Sequence, residues 1–127
     1  KYLIFFSLTL AGYPLFSQTP PAAAADSLFI VSYTTGPGWQ AAKPPQEQTY
    51  FKEHSQHLQQ LRKDGLIKAG ARYSDKGIII VSAASLGAAR ALVDKDLAIQ
   101  HALFHAEVHK FNVFFEVAWN ANVRLLF

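Results

Sequence analysis

The feature that narrows the fold most is the order in which two periodicities follow one another. Runs rich in β-branched and aromatic residues are interrupted by two stretches of helical period, and the order is βαββαβ. Leu28–Thr34 (LFIVSYT) is the first strand, closed by Thr35-Gly36-Pro37-Gly38. Trp39–Glu47 contains Pro44-Pro45 and is expected to be a loop rather than a helix. From about Thr49 to Asp64 the pattern is helical and ends at Gly65, a residue suited to the left-handed stop after a helix. Leu66–Tyr73 is the second strand, Ser74–Gly77 a tight turn, and Ile78–Ser82 an apolar third strand. Ser85 caps a second helix that runs to about Lys95, and Asp96–Ala102 is expected as a loop. Leu103–Val117 is expected as a long last strand, interrupted near Lys110.

Two βαβ units with right-handed crossovers, joined by a hairpin, make a ferredoxin-like α+β domain. Its four-stranded antiparallel sheet carries both helices on one face. The other face is then apolar and open, because both the odd and the even positions of Leu28–Tyr33 and Ile78–Val81 are hydrophobic. Pairing with a second copy through the sheet covers it, so a homodimer is expected. The tail from Trp119 (WNANVRLLF) is available to fold over an edge or to join the partner.

Composition sets the outer limits. A chain of 127 residues with 50% hydrophobic and 17% charged residues is one folded domain with one core. The net charge of +3 comes from scattered basic residues, with no run longer than Arg62-Lys63, so no nucleic-acid footprint is expected. Without cysteine the chain has no disulfide, no thiolate nucleophile and no Cys-ligated zinc. Lys1 followed by the uncharged, Leu-, Ile- and Phe-rich Tyr2–Phe16 and a small residue at Ser17 has the parts of a secretory signal peptide. We therefore expect a leader over 1–17, a linker over 18–27 and the working domain over 28–127. This makes the protein secreted or periplasmic, with no membrane association once the leader is removed.

His54 is out of place in an apolar stripe. At ~100° per residue it shares a helix face with Phe51, Leu58 and Leu61, while Lys52, Gln56, Gln59 and Lys63 fall opposite. An imidazole buried there costs free energy unless its nitrogens find partners. It is either a hydrogen-bonded core residue or a group facing an internal pocket, where titration near neutrality suits proton transfer. Asp96 is the second anomaly. By the same ~100° step it continues the stripe of Ala89, Leu92 and Val93, at a helix C-terminus that disfavours negative charge. The βαββαβ topology brings the end of the first strand, the start of the first helix, Arg72–Asp75 and Asp94–Asp96 to one rim. A His54–Asp96 pair, in which the carboxylate orients the ring, is expected there.

In these residues the chain resembles the YciI-like (YCII-related) family of small ferredoxin-like proteins. The likeness runs through His54, Gly65-Leu66-Ile67-x-Ala69-Gly70, the Gly77 hairpin, the Ser85–Asp96 helix and Val108-x-x-Phe111-x-Val113-Phe114. It covers about Leu28–Val117. The resemblance implies a dimeric α/β barrel related to muconolactone-isomerase-like folds, and an active-site pair at His54 and Asp96. The family pattern has Asp-Pro where this chain has Asp96-Leu97, and the Gly36–Gln48 segment is longer than in its shortest members, long enough for a lid. One branch of the family is associated with dehydrochlorination of a hydroxylated aromatic, a reaction that fold analogy alone does not transfer.

Other constellations are weaker. His54-x-x-His57 lacks a third ligand, and His101, His105 and His109 span too far along a strand for one ion, so no metal is expected. The glycines form no phosphate loop and no cofactor is expected. Trp39, Tyr50 and Tyr73 are candidates for an aromatic pocket beside Arg72, which suits a carboxylate or phenolate. The expected function is cofactor-free proton transfer on a small molecule: isomerase, lyase or dehydrochlorinase-like chemistry. The alternative is a non-catalytic, dimeric small-ligand-binding module in which His54 belongs to the core.

Overall fold

The structure, a computed structural model, describes residues 26–115. The expected leader, most of the linker and the tail from Trp119 lie outside the described residues. Four strands, β1 (Ser27–Thr35), β2 (Ile67–Tyr73), β3 (Lys76–Ala83) and β4 (Phe104–Lys110), form one sheet in the order β2-β3-β1-β4. Every neighbouring pair is antiparallel. The helices are α1 (Phe51–Lys63), α2 (Leu86–Asp94) and the short α3 (Leu97–Gln100). The architecture is α+β and compatible with a ferredoxin-like fold.

Alternation along β1 decides which face is core. Phe29, Val31 and Tyr33 are buried, and with Ile79, Val81, Ala83, Ala89, Val93 and Val108 they make one cluster under the helices. The intervening Leu28, Ile30 and Ser32 are half-buried on the opposite face, next to Ile78 and Ile80 of β3. At β4 that same outer face turns polar, where His105, Glu107 and His109 are exposed.

Local signals explain the element ends. Gly65 adopts φ +73° behind α1, and the Ser85 hydroxyl accepts from the Ala88 amide at 3.0 Å to open α2. Three expectations need correction. The last strand stops at Lys110, and residues 111–115 carry no strand. The segment after Asp96 is not an open loop, since α3 occupies Leu97–Gln100. The 39–47 loop contains a single 3-10 turn at Pro45–Glu47, because proline is at home in a first helical turn, where its missing amide costs nothing.

The long connection between β1 and α1 is tied down at both ends. Gly36 and Gly38 donate to the carbonyls of Leu103 and Ala102, each at 2.8 Å. A Cβ on Gly36 would stand 2.2 Å from the Ala102 carbonyl oxygen, so only glycine permits this approach. Buried Gln48 then clasps the loop from inside: its amide donates to the carbonyls of Gln40 (2.6 Å) and Lys43 (2.9 Å), and its oxygen accepts from the Gln40 amide (2.9 Å).

Candidate active site

His54 sits on the inward face of α1, where only it and Leu61 are buried. Its Nδ1 lies 2.5 Å from Asp96 Oδ2. Asp96 is fully buried and accepts a second hydrogen bond, from the Ala98 amide to Oδ1 at 2.9 Å. A carboxylate only accepts, so Nδ1 of His54 is the donor, and in the neutral ring the lone pair is then on Nε2. No buried side-chain nitrogen or oxygen among the described residues lacks a partner. Nε2 has none among the described residues, and it is open to the cleft that His54 lines.

The position of Asp96 differs from the expected helix C-terminus. Helix α2 ends at Asp94, and Asp96 has extended backbone (φ −75°, ψ 121°) as the N-cap of α3. A negative charge at a helix start is favourable rather than unfavourable. Leu97 follows in the first helical position, one that proline would suit equally. The cap bond to Ala98 holds the carboxylate in place without a proline turn.

An aromatic shell surrounds the ring. Phe104 (centroids 4.8 Å apart), Tyr33 (5.3 Å, edge to face) and Phe51 (6.4 Å) pack against His54, and Trp39 packs on Phe104 at 5.7 Å. Together with Leu58, Arg72 and the 74–77 turn they line an open cleft of about 770 Å³. The sheet register explains the space. Tyr33, Gly77 and Arg72 lie side by side in one cross-strand row, on the helix side of the sheet. Gly77 contributes no side chain to that row, and a Cβ there would meet nothing within 4 Å. The cleft therefore opens between a tyrosine and an arginine.

The sequence candidates divide. His54, Arg72 and Trp39 line the cleft, and Asp96 stands directly behind His54. Tyr50 and Tyr73 are not brought to it. Tyr50, at φ +68°, stacks flat on His101 (4.0 Å, 8°). Tyr73 is 54% exposed, with the Lys76 ammonium 6.0 Å from its ring, because it is one step out of phase with Arg72 along β2. Tyr33, Phe51 and Phe104 complete the cleft wall beyond the expected residues. Strand alternation with Phe29 and Val31 marks Tyr33 as inward-facing, but nothing local distinguishes a cleft wall from core. His57 serves packing, its Nε2–H donating to the Leu92 carbonyl at 2.8 Å. Among the described residues no three His, Asp or Glu side chains gather in a metal-binding arrangement.

Tyr33 is the one group here whose titration is displaced into the alkaline range. Its phenol pKa is pushed up, first by burial and then by the negative charge of Asp96. Comparison with protein-family models, curated proteins and solved structures returns no match, so function must be argued from these residues.

Proposed function

We propose that this chain is a small YciI-like enzyme that moves a proton on a small organic molecule without a cofactor. The observation that carries the proposal is the division of labour on one ring: Nδ1 is bound to a buried carboxylate while Nε2 is left open to an aromatic cleft. In that arrangement Nε2 removes a proton from substrate carbon. Asp96 fixes the tautomer and faces the positive charge that the ring acquires. Arg72, at the far side of the Gly77 gap, binds the carboxylate or phenolate of an anionic substrate. Elimination, isomerisation and lyase reactions all begin with this step. The same proposal includes an exported homodimer that pairs through the outer sheet face.

The test uses a nitro-substituted benzisoxazole, whose ring opens when its C–H proton is removed and releases a coloured phenolate. Wild-type protein should open it faster than an equal concentration of free imidazole. His54→Ala should lower the rate by roughly 10²-fold while the protein stays folded. Asp96→Asn should lower it by about tenfold or more. An asparagine that keeps its oxygen on the Ala98 amide offers an N–H to His54, which moves the ring proton onto Nε2 and removes the base. Unchanged turnover in folded His54→Ala would sink the proposal. Lost stability with retained ligand binding would leave the non-catalytic module in its place.

A further inference from the structure

We infer that the Tyr33 hydroxyl is a second catalytic group, donating a hydrogen bond to the oxygen on which negative charge collects while His54 takes the proton. The inference rests on the proton-transfer reading above and adds what that reading lacks. A base that removes a proton from carbon leaves an electron pair that must be received, usually on an oxygen, and a fixed donor aimed at that oxygen lowers the barrier.

Tyr33 meets the requirements of such a donor. It lies at the inner end of β1 with only 6% of its surface exposed, and its ring meets His54 edge to face at 5.3 Å. The hydroxyl has no hydrogen-bond partner among the described residues, and no buried polar side-chain atom there is left unpartnered. It therefore opens on the cleft that Tyr33 and His54 line together. Burial and the charge of Asp96 keep the phenol protonated, so it enters the reaction as a donor and not as a competing anion. The row Tyr33–Gly77–Arg72 places this neutral donor and a permanent cation on opposite sides of the empty position at Gly77. A substrate oxygen at the gap meets the phenol on one side and the guanidinium on the other.

On the benzisoxazole, bond breaking and bond making are concerted. The C–H bond breaks and its proton goes to His54 Nε2. The freed electron pair forms the third C–N bond of a nitrile. The N–O bond breaks with its pair on oxygen, and that phenolate oxygen accepts from Tyr33.

The experiment separates this inference from the role of His54 by measuring binding instead of turnover. Para-nitrophenolate is the probe and nitrobenzene, which lacks the charged oxygen, is the control; both are titrated calorimetrically above the pKa of the nitrophenol. Wild type should bind the phenolate more tightly than nitrobenzene. Tyr33→Phe, which removes one oxygen and no packing, should weaken phenolate binding at least about tenfold, as expected for a charge-assisted hydrogen bond. Its nitrobenzene affinity and melting temperature should be unchanged. Gly77→Val, which fills the gap, should weaken both ligands. With the benzisoxazole, Tyr33→Phe should lower kcat and leave KM nearly constant. The inference is overturned if wild type shows no preference for the phenolate, if Tyr33→Phe binds both ligands like wild type, or if it weakens both equally. Turnover lost in His54→Ala bears on the base alone, and phenolate binding lost in Tyr33→Phe on the donor alone.

Discussion

At Asp96 two hydrogen-bond donors converge on one carboxylate, the Nδ1–H of His54 and the amide of Ala98. Replacing it distinguishes the two contacts. Asp96→Ala loses both, and we expect a loss of about 1–3 kcal/mol for the buried imidazole left unpaired plus about 1 kcal/mol for the missing cap. Asp96→Asn should cost less, since it keeps the cap and can still meet the other tautomer of the ring; urea denaturation of the pair checks the order. Tyr33 supplies a pH signature. The unfolded chain releases a phenol proton near pH ~10, whereas the folded chain holds it to higher pH. Above ~10 the unfolded state binds fewer protons, so stability falls with rising pH, by up to about 1.4 kcal/mol per unit from this group. Below that point Tyr33 is protonated in both states and contributes no slope. Tyr33→Phe should flatten the alkaline decline in melting temperature; an identical decline in the variant would show that other groups cause it.

Elements were legible in the sequence in proportion to how local their causes are. The Ser85 cap and the Gly65 stop follow from neighbouring residues and stand where the sequence puts them, whereas which face of β1 is core shows only in the packed sheet. Helix α3 and the early end of β4 do not follow from neighbouring residues. A single turn from Leu97 to Gln100 is too short to show a period, and it persists because Asp96 caps it from a buried position. The β1–α1 connection is another case. Proline content marks it as irregular, but the order comes from Gln48, whose side chain closes the loop on the carbonyls of Gln40 and Lys43. Gln48→Ala should release the Lys43 carbonyl and the Gln40 amide, while the Gln40 carbonyl keeps its bond from the Lys43 amide, at about 1 kcal/mol. Hydrogen exchange at the Gln40 amide should quicken while core amides of β3 change less. Equal acceleration everywhere would mean that the loop and sheet open as one unit.

For the whole molecule, pairing through the outer sheet face has a direct test. Leu28, Ile30, Ile78 and Ile80 share that face, with the apolar residues central and the charged ones at the β4 edge. If two copies pair there, Ile30→Lys places a charge in the seam. It should shift sedimentation from dimer to monomer and abolish the concentration dependence of the melting temperature. A wild type that sediments as a monomer at all concentrations would remove the dimer. By itself the sequence determined the order of elements and the presence of a histidine inside a helix stripe, because each depends on residues a few positions apart. The tertiary structure decided that Asp96, the expected partner 42 positions away, meets that histidine from the cap of α3 and not from the end of α2. It also decided that Tyr33 and Arg72 flank a gap left by Gly77 while Tyr50 and Tyr73 turn elsewhere. Those outcomes depend on how helices cross a twisted sheet and on which strands share a register, and local periodicity carries no information about either.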